Sequence, residues 1–416
     1  MERQAALPGT LLKMERMRQE RGQKEVCYGV CVPSYLSKIE HGSVQPDPEI
    51  LKKLFAKLGI TWEADESVLG PCREQMEAYF YRMEYRLDTE EIYRTLAKKG
   101  DMLCYSPLTI DWLLIEGFEL VYGNHKEGVS ASHKTDNPVS LLASLKESMD
   151  SRQAAYYKLL LYWEDMKSPE GVRLCREASE TLGSSFAMNV LCFAYIQQGE
   201  YSAIHQMENR VVAAALEEGN TYQLANYYFY KGTAYACLNL EDMMTVYYER
   251  NIRLLQNTAW KSELCDVYYN LGASYVSLKR YEKALEYLEK VEAQGQEYSA
   301  VSHKKALALI RSGRKEEARK FLEKMKNQLL TDPGSSEADY LKYEEACMEC
   351  REGFLDAPEY LDLLERLMEA LRREYHFGHL YFYRDVMVEA CKRQRKYKKA
   401  LEFEQEISSK TLKRDI

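Results

Sequence analysis

Along most of this chain apolar residues recur with the 3.6-residue period of amphipathic helices, and no segment shows the strict two-residue alternation of a strand. The first sixty residues hold several such stretches, all short. Residues 10–20 place Leu11, Met14 and Met17 at helical spacing, and 23–30 follow as a second helix closed by a turn at Cys31-Val32. In 33–42, Tyr35, Leu36 and Ile39 share one face, while Ser34, Ser37, Lys38 and His41 share the other. Pro33 suits the first turn of that helix, where its missing N–H would have no partner, and Gly42 suits the residue just past its end. Over 49–58, Ile50, Leu51, Leu54, Phe55 and Leu58 form an apolar stripe, stopped by Gly59.

A helix over 33–42 would thus be buried on one side and offer a short, polar, mildly basic face on the other. Its size fits the major groove of DNA. Charge placement agrees: residues 1–60 carry ten Lys/Arg against seven Asp/Glu, whereas the remainder carries 47 against 58. Net charge over all 416 residues is −8, so a basic head on an acidic body is expected. Residues 8–60 resemble the helix-turn-helix domain of lambdoid repressors and xenobiotic-response-element regulators. The likeness rests on Arg21-Gly22, Gln23, the run from Ser34 to Gly42, Pro46 and Leu58-Gly59-Ile60. It implies five helices, with Gln23 at a phosphate and Ser34 and Lys38 at base edges. Pro33, Tyr35, Ser37 and His41 complete the DNA-facing set. Arg18 would pair with Glu40, Arg16 being the competing position. Two residues usual before the Gln are absent, and Pro33 stands where a polar base-reader is common.

From about residue 61 helical patterns run almost unbroken. Connector helices are expected over 74–86 and 89–99, and a loop over 123–137. The body contains a repeat. Aligned on Gly272, related positions recur at Cys192, Gly232, Ala306, Ala346 and Val388, at steps of 40, 40, 34, 40 and 42 residues. Seven residues after each anchor a tight turn is expected, at Gly199, Asn239, Lys279, Gly313, Gly353 and Arg395. A small or apolar residue follows at Ile204, Met244, Ala284, Ala318, Pro358 and Ala400. Small residues at both places let two antiparallel helices approach closely. The pattern resembles the tetratricopeptide repeat, best over 268–291 and 302–324. Helices over 108–181 would extend the array by two pairs.

That resemblance implies a right-handed solenoid whose first helices line a concave wall. It places Asn189, Phe193, Gln197, Asn226, Phe229, Thr233, Asp266, Tyr269, Ser277 and Arg311 there as candidate peptide-binding residues. Aromatic groups interleaved with amides suit an extended peptide, whose backbone the amides would satisfy. For any one of these residues, packing between repeats is the competing role.

The expected architecture is therefore all-α: a helix-turn-helix domain over 1–65, connectors over 66–106 and repeats over 107–416. In outline this is similar to the Rgg/PlcR type of peptide-responsive regulators in Gram-positive bacteria. The similarity implies a cytoplasmic homodimer that binds palindromic double-stranded DNA and takes up a short signalling peptide. An adaptor binding a partner protein is the alternative. No signature of an enzyme appears: no phosphate-binding glycine loop, nucleophile elbow or carboxylate pair. No cofactor or metal is expected. Cys347-Met-Glu-Cys350 has no second pair, the eleven cysteines read as reduced core thiols, and His125, His133, His205, His303 and His41 form no ligand spacing. His376-x-x-His379 reads as packing or surface. No apolar run approaches eighteen residues, so no membrane span is expected.

Overall fold

The computed structural model describes residues 6–122, 137–296 and 298–411; most of the expected loop, with His125 and His133, lies outside them. Every element among the described residues is helical. The chain divides into two compact units, 1–187 and 188–416.

The first unit opens with α1 (Leu7–Arg18), α2 (Gln23–Cys27), α3 (Pro33–Glu40) and α4 (Pro48–Lys57), and α5 (Glu66–Glu84) follows. Leu12, Val26, Leu36, Leu54 and Phe55 are fully buried and form the core of the first four. Gly9 is dictated by packing: a Cβ there would lie 1.9 Å from the Ile39 carbonyl oxygen, so α1 and α3 can cross closely only at glycine. Asp47 caps α4 by accepting from the Glu49 and Ile50 amides at 2.9 and 3.4 Å, with Pro48 at the first position. Three expectations shift. Met17 is 61% exposed, because α1 starts earlier and buries Leu7, Leu11, Leu12 and Glu15 instead. The second helix stops at Cys27. The first connector starts at Glu66, capped by Asp65, and absorbs Pro71. Aromatic side chains from several helices then build the core of the unit; Phe80 stacks on Tyr156 with ring centroids 4.8 Å apart.

In the second unit helices pair in sequence: Thr221–Cys237 with Glu241–Leu255, Lys261–Ser277 with Tyr281–Ala293, and Ser299–Arg311 with Lys315–Thr331. Glu337–Glu349 with Pro358–Glu374, and Arg384–Arg393 with Tyr397–Thr411, complete the stack. All six anchors lie in first helices and are buried. The reason for small anchors is visible at Gly272, where a Cβ would sit 2.6 Å from Leu288 Cγ, and at Gly232, where one would meet the Tyr248 ring at 2.8 Å. All six expected turn residues have positive φ: Gly199, Gly313 and Gly353, but also Asn239, Lys279 and Arg395 at 57°, 60° and 58°. The chain reverses in the same left-handed step whether or not glycine is there. Pro358 departs from the pattern. It is exposed, because a 3-10 turn at Phe354–Asp356 delays the second helix, and Tyr360 fills the interior instead.

Candidate functional site

Two surfaces follow from the candidate residues. On α3, Leu36 and Ile39 face the interior, which leaves Pro33, Ser34, Lys38 and His41 exposed and Tyr35 and Ser37 half-buried. His41 Nδ1 lies 2.6 Å from the Ser37 carbonyl. Glu40 is buried and fixes the helix: Arg16 donates to it from Nε at 2.6 Å and from Nη2 at 2.9 Å. Arg16, not Arg18, is thus the partner of Glu40; Arg18 turns to Glu15, one turn back on its own helix. Gly9 packs on the Ile39 carbonyl, and Arg16, seven residues later, falls on the same side of α1, whereas Arg18 falls on the opposite side. Gln23 Nε2 also donates to Glu40, at 2.7 Å, so the Gln23 amide is held by α3.

The second surface belongs to the first helices of the repeats. Asn189 is buried and donates to the Gln223 backbone oxygen at 2.8 Å and to its Oε1 at 3.0 Å. Asn226 reaches the same Oε1 at 3.4 Å and is half-buried. Thr233 is buried against the Tyr248 hydroxyl at 2.9 Å, and Phe229 packs on that ring. Phe193 faces Tyr230 with centroids 6.1 Å apart; Gln197 and Ser277 are half-buried. Asp266 reaches solvent, yet desolvation, then the charge of Glu263, push its pKa up to about 6.

Across this wall lies a segment that the repeat pattern does not account for, the short helix Phe377–Phe382. A Cβ on Gly199 would be 2.6 Å from Phe377, and one on Gly378 would be 3.3 Å from Cys237 Sγ. Two cavities flank the segment. One is lined by Thr233, Cys237, Tyr269, Ser277 and Lys304 on the wall and by His379 and Phe382 on the segment. The other, of about 400 Å³, is bounded by Ser277, Tyr281, Arg311 and Glu349, with Phe382 and Arg384 opposite.

Buried charges surround these cavities. Arg311 grips Glu349 through Nε at 3.0 Å and Nη2 at 2.6 Å, so it is engaged within the fold. Burial would raise Glu349, but the Arg311 charge outweighs it and holds the carboxyl below its usual range. Neighbouring Glu345 accepts from the Tyr360 hydroxyl at 2.8 Å; burial, then the charge of Glu349, push it well up. Lys342 pairs with Asp339 at 3.0 Å. Lys304 differs. It is 5% exposed, and no ion pair or hydrogen bond to its ammonium exists among the described residues. Its Nζ sits instead 3.1 Å from the centroid of the Phe382 ring. Burial, then the charges of Lys342 and Arg311, push its pKa well below the usual lysine range.

Neither Lys304 nor the segment opposite it was among the sequence candidates. Lys304 stands two residues before the anchor Ala306, outside the positions expected on the concave wall. The aromatic density of Tyr375, Phe377, Tyr381, Phe382 and Tyr383 was the available signal. His376 and His379 pack edge-to-face with centroids 4.5 Å apart. The described residues contain no group of three or more His, Cys, Asp or Glu placed to hold a metal ion, and no helix long and apolar enough to cross a membrane.

The family model described as tetratricopeptide repeat matches residues 265–292, the repeat centred on Gly272. A search of curated proteins finds no match. Among solved structures, the apo form of the quorum sensor NprR from B. thuringiensis is similar with a TM-score of 0.58. It is 16% identical, and the alignment covers 82% of this chain and 99% of that one. This chain therefore carries a tetratricopeptide repeat within an all-helical fold similar to that of NprR.

Proposed function

We propose that this protein is a DNA-binding transcriptional regulator whose repeats sense a short peptide. The observation that carries the first half is α3. It is a helix of eight residues with Leu36 and Ile39 buried, its end pinned by Arg16 on Glu40, and Pro33, Ser34, Lys38 and His41 in solvent. Such a helix enters the major groove with its polar side chains at base edges and phosphates. Support for the second half comes from a repeat wall of aromatic and amide side chains with cavities along it. The fold is also like that of a protein described as a quorum sensor. A homodimer on a palindromic site, its two heads re-spaced by peptide, completes the reading.

The test is binding of the purified protein to the duplex upstream of its own coding region, at two salt concentrations, with an unrelated duplex as control. Specific binding that outlasts the non-specific component as salt rises supports the reading. Equal affinity for both duplexes at each salt concentration would overturn its DNA-binding half.

A further inference from the structure

Lys304 presents an unusual balance of charge. A buried ammonium is normally paired, because burying an isolated charge is costly. The two carboxylates whose charge reaches it, Glu345 and Glu349, are already engaged, Glu349 by Arg311 and Glu345 by the Tyr360 hydroxyl, and Asp339 is held by Lys342 and the Tyr375 hydroxyl. What faces Lys304 is an aromatic ring, a partner that attracts a cation without neutralising it. That ring belongs to Phe377–Phe382, which lies over the wall on which Thr233, Tyr269 and Ser277 are candidate peptide contacts. The cavity at this place thus has an amine whose charge burial disfavours and an incoming anion would restore, aromatic and small polar walls, and an internal occupant.

We propose that Lys304 is the receptor for a carboxylate of the ligand peptide, and that Phe382 holds its place until that carboxylate arrives. This rests on the peptide-sensing reading above and names the chemical group that reading leaves open. The arriving carboxylate supplies the charge-assisted bond that Phe382 cannot. Displaced, Phe382 takes the rest of Phe377–Phe382 off the wall and uncovers Thr233 and Tyr269 for the peptide. The same segment would then compete with every ligand, so loosening it strengthens binding.

The experiment uses the full chain and three pools of random heptapeptides: one of all residues with free carboxyl ends, one lacking Asp and Glu with free ends, and the second pool amidated. Peptides retained by the protein are identified by mass, and acetate and glutarate alone are run as competitors. The wild type is expected to retain free-acid peptides. Lys304→Met should lower their affinity about tenfold to a hundredfold, the loss of one bond to a charged group, while melting no lower than the wild type. Phe382→Ala should raise affinity. Retention from the second pool assigns the terminal carboxylate, and retention from the first alone assigns an acidic side chain. Equal retention of acids and amides, or binding untouched by Lys304→Met, overturns the carboxylate receptor while the peptide reading stands. Glutarate binding as tightly as any peptide overturns the peptide as source. If neither the wild type nor Phe382→Ala retains anything, the peptide reading itself falls.

Discussion

Arg16 lies bidentate on Glu40, Nε to Oε1 at 2.6 Å and Nη2 to Oε2 at 2.9 Å, and its Nη1 continues to the Arg21 carbonyl at 2.8 Å. One side chain thereby joins α1, the turn after it and the end of α3. The Glu40 side chain is only 1% exposed, so removing its partner strands a buried charge. Arg16→Ala should cost about 3–5 kcal/mol in urea unfolding of the first unit. Arg18→Ala should cost less than about 1 kcal/mol, since Arg18 is 66% exposed and Glu15 keeps bonds from Gln19 and the Tyr105 hydroxyl. Equal losses in the two variants would mean that α3 is not held through Arg16.

Lys38 separates recognition from folding. It is exposed, and no hydrogen bond or ion pair restrains its side chain among the described residues. Lys38→Ala should leave the melting temperature unchanged and weaken specific DNA by about tenfold, with a shallower salt dependence if the contact is to phosphate. Fluorescence anisotropy at several salt concentrations measures both. Undiminished affinity would remove α3 as the reading helix.

The two ends of this chain differ in how far their residues speak for themselves. The turn positions were legible because a helical hairpin with a fixed close approach must reverse at a fixed offset from it. Hence Asn239, Lys279 and Arg395 took positive φ as Gly313 did. The partner of Glu40 was not, since Arg16 and Arg18 both carry the right charge and only the contact of Gly9 with Ile39 decides which one faces α3. Phe377–Phe382 escaped detection for another reason. Six residues are less than two turns, too short for a period to register, and tertiary contact with Gly199 and Cys237 places them.

Those turns allow a backbone test. Arg395 is exposed at φ 58°, a conformation costing a residue with a Cβ about 1–2 kcal/mol. Glycine recovers this but gains entropy when unfolded, so Arg395→Gly should stabilise by about 0.5 kcal/mol. Gly313→Ala should destabilise by about 1 kcal/mol, purely through its φ of 86°, because nothing lies within 4 Å of the added Cβ. Thermal unfolding decides. The same sign in both variants would contradict the left-handed turns.

Asp111 gives the first unit a pH dependence. Its Oδ2 accepts from Gln153 Nε2 at 2.9 Å. Desolvation raises its pKa from 3.8 to about 6 against the opposing pull of that bond, Arg152 and Arg73, with Asp150 adding to the rise. The folded state therefore holds a proton that the unfolded state has lost between pH 3.8 and about 6, and stability from this group falls as pH rises through that window. Above it the charged carboxylate costs about 3 kcal/mol. Asp111→Asn keeps an acceptor for Gln153 without the charge. It should be more stable than the wild type at pH 7.5 and equal to it near pH 4. A difference that does not change with pH would dismiss Asp111 as the group responsible.

Asn189 and Asn226 converge on one glutamine, yet they should behave differently when removed. Asn189 is buried, and its two bonds tie it to the Gln223 backbone and side chain. Asn189→Ala would leave buried acceptors unmet and cost about 1–3 kcal/mol, so a loss of ligand in that variant would be read together with a loss of fold. Asn226 is half-buried, and its single contact to Gln223 is long, at 3.4 Å. Asn226→Ala should therefore melt within about 0.5 kcal/mol of the wild type, as exposed substitutions do. If its amide satisfies a peptide backbone group, affinity for a peptide selected from the random pools should fall about tenfold. Calorimetric titration of that peptide separates the cases. Full affinity in Asn226→Ala would return Asn226 to packing between repeats and move the peptide path along the wall, toward Tyr269 and Ser277.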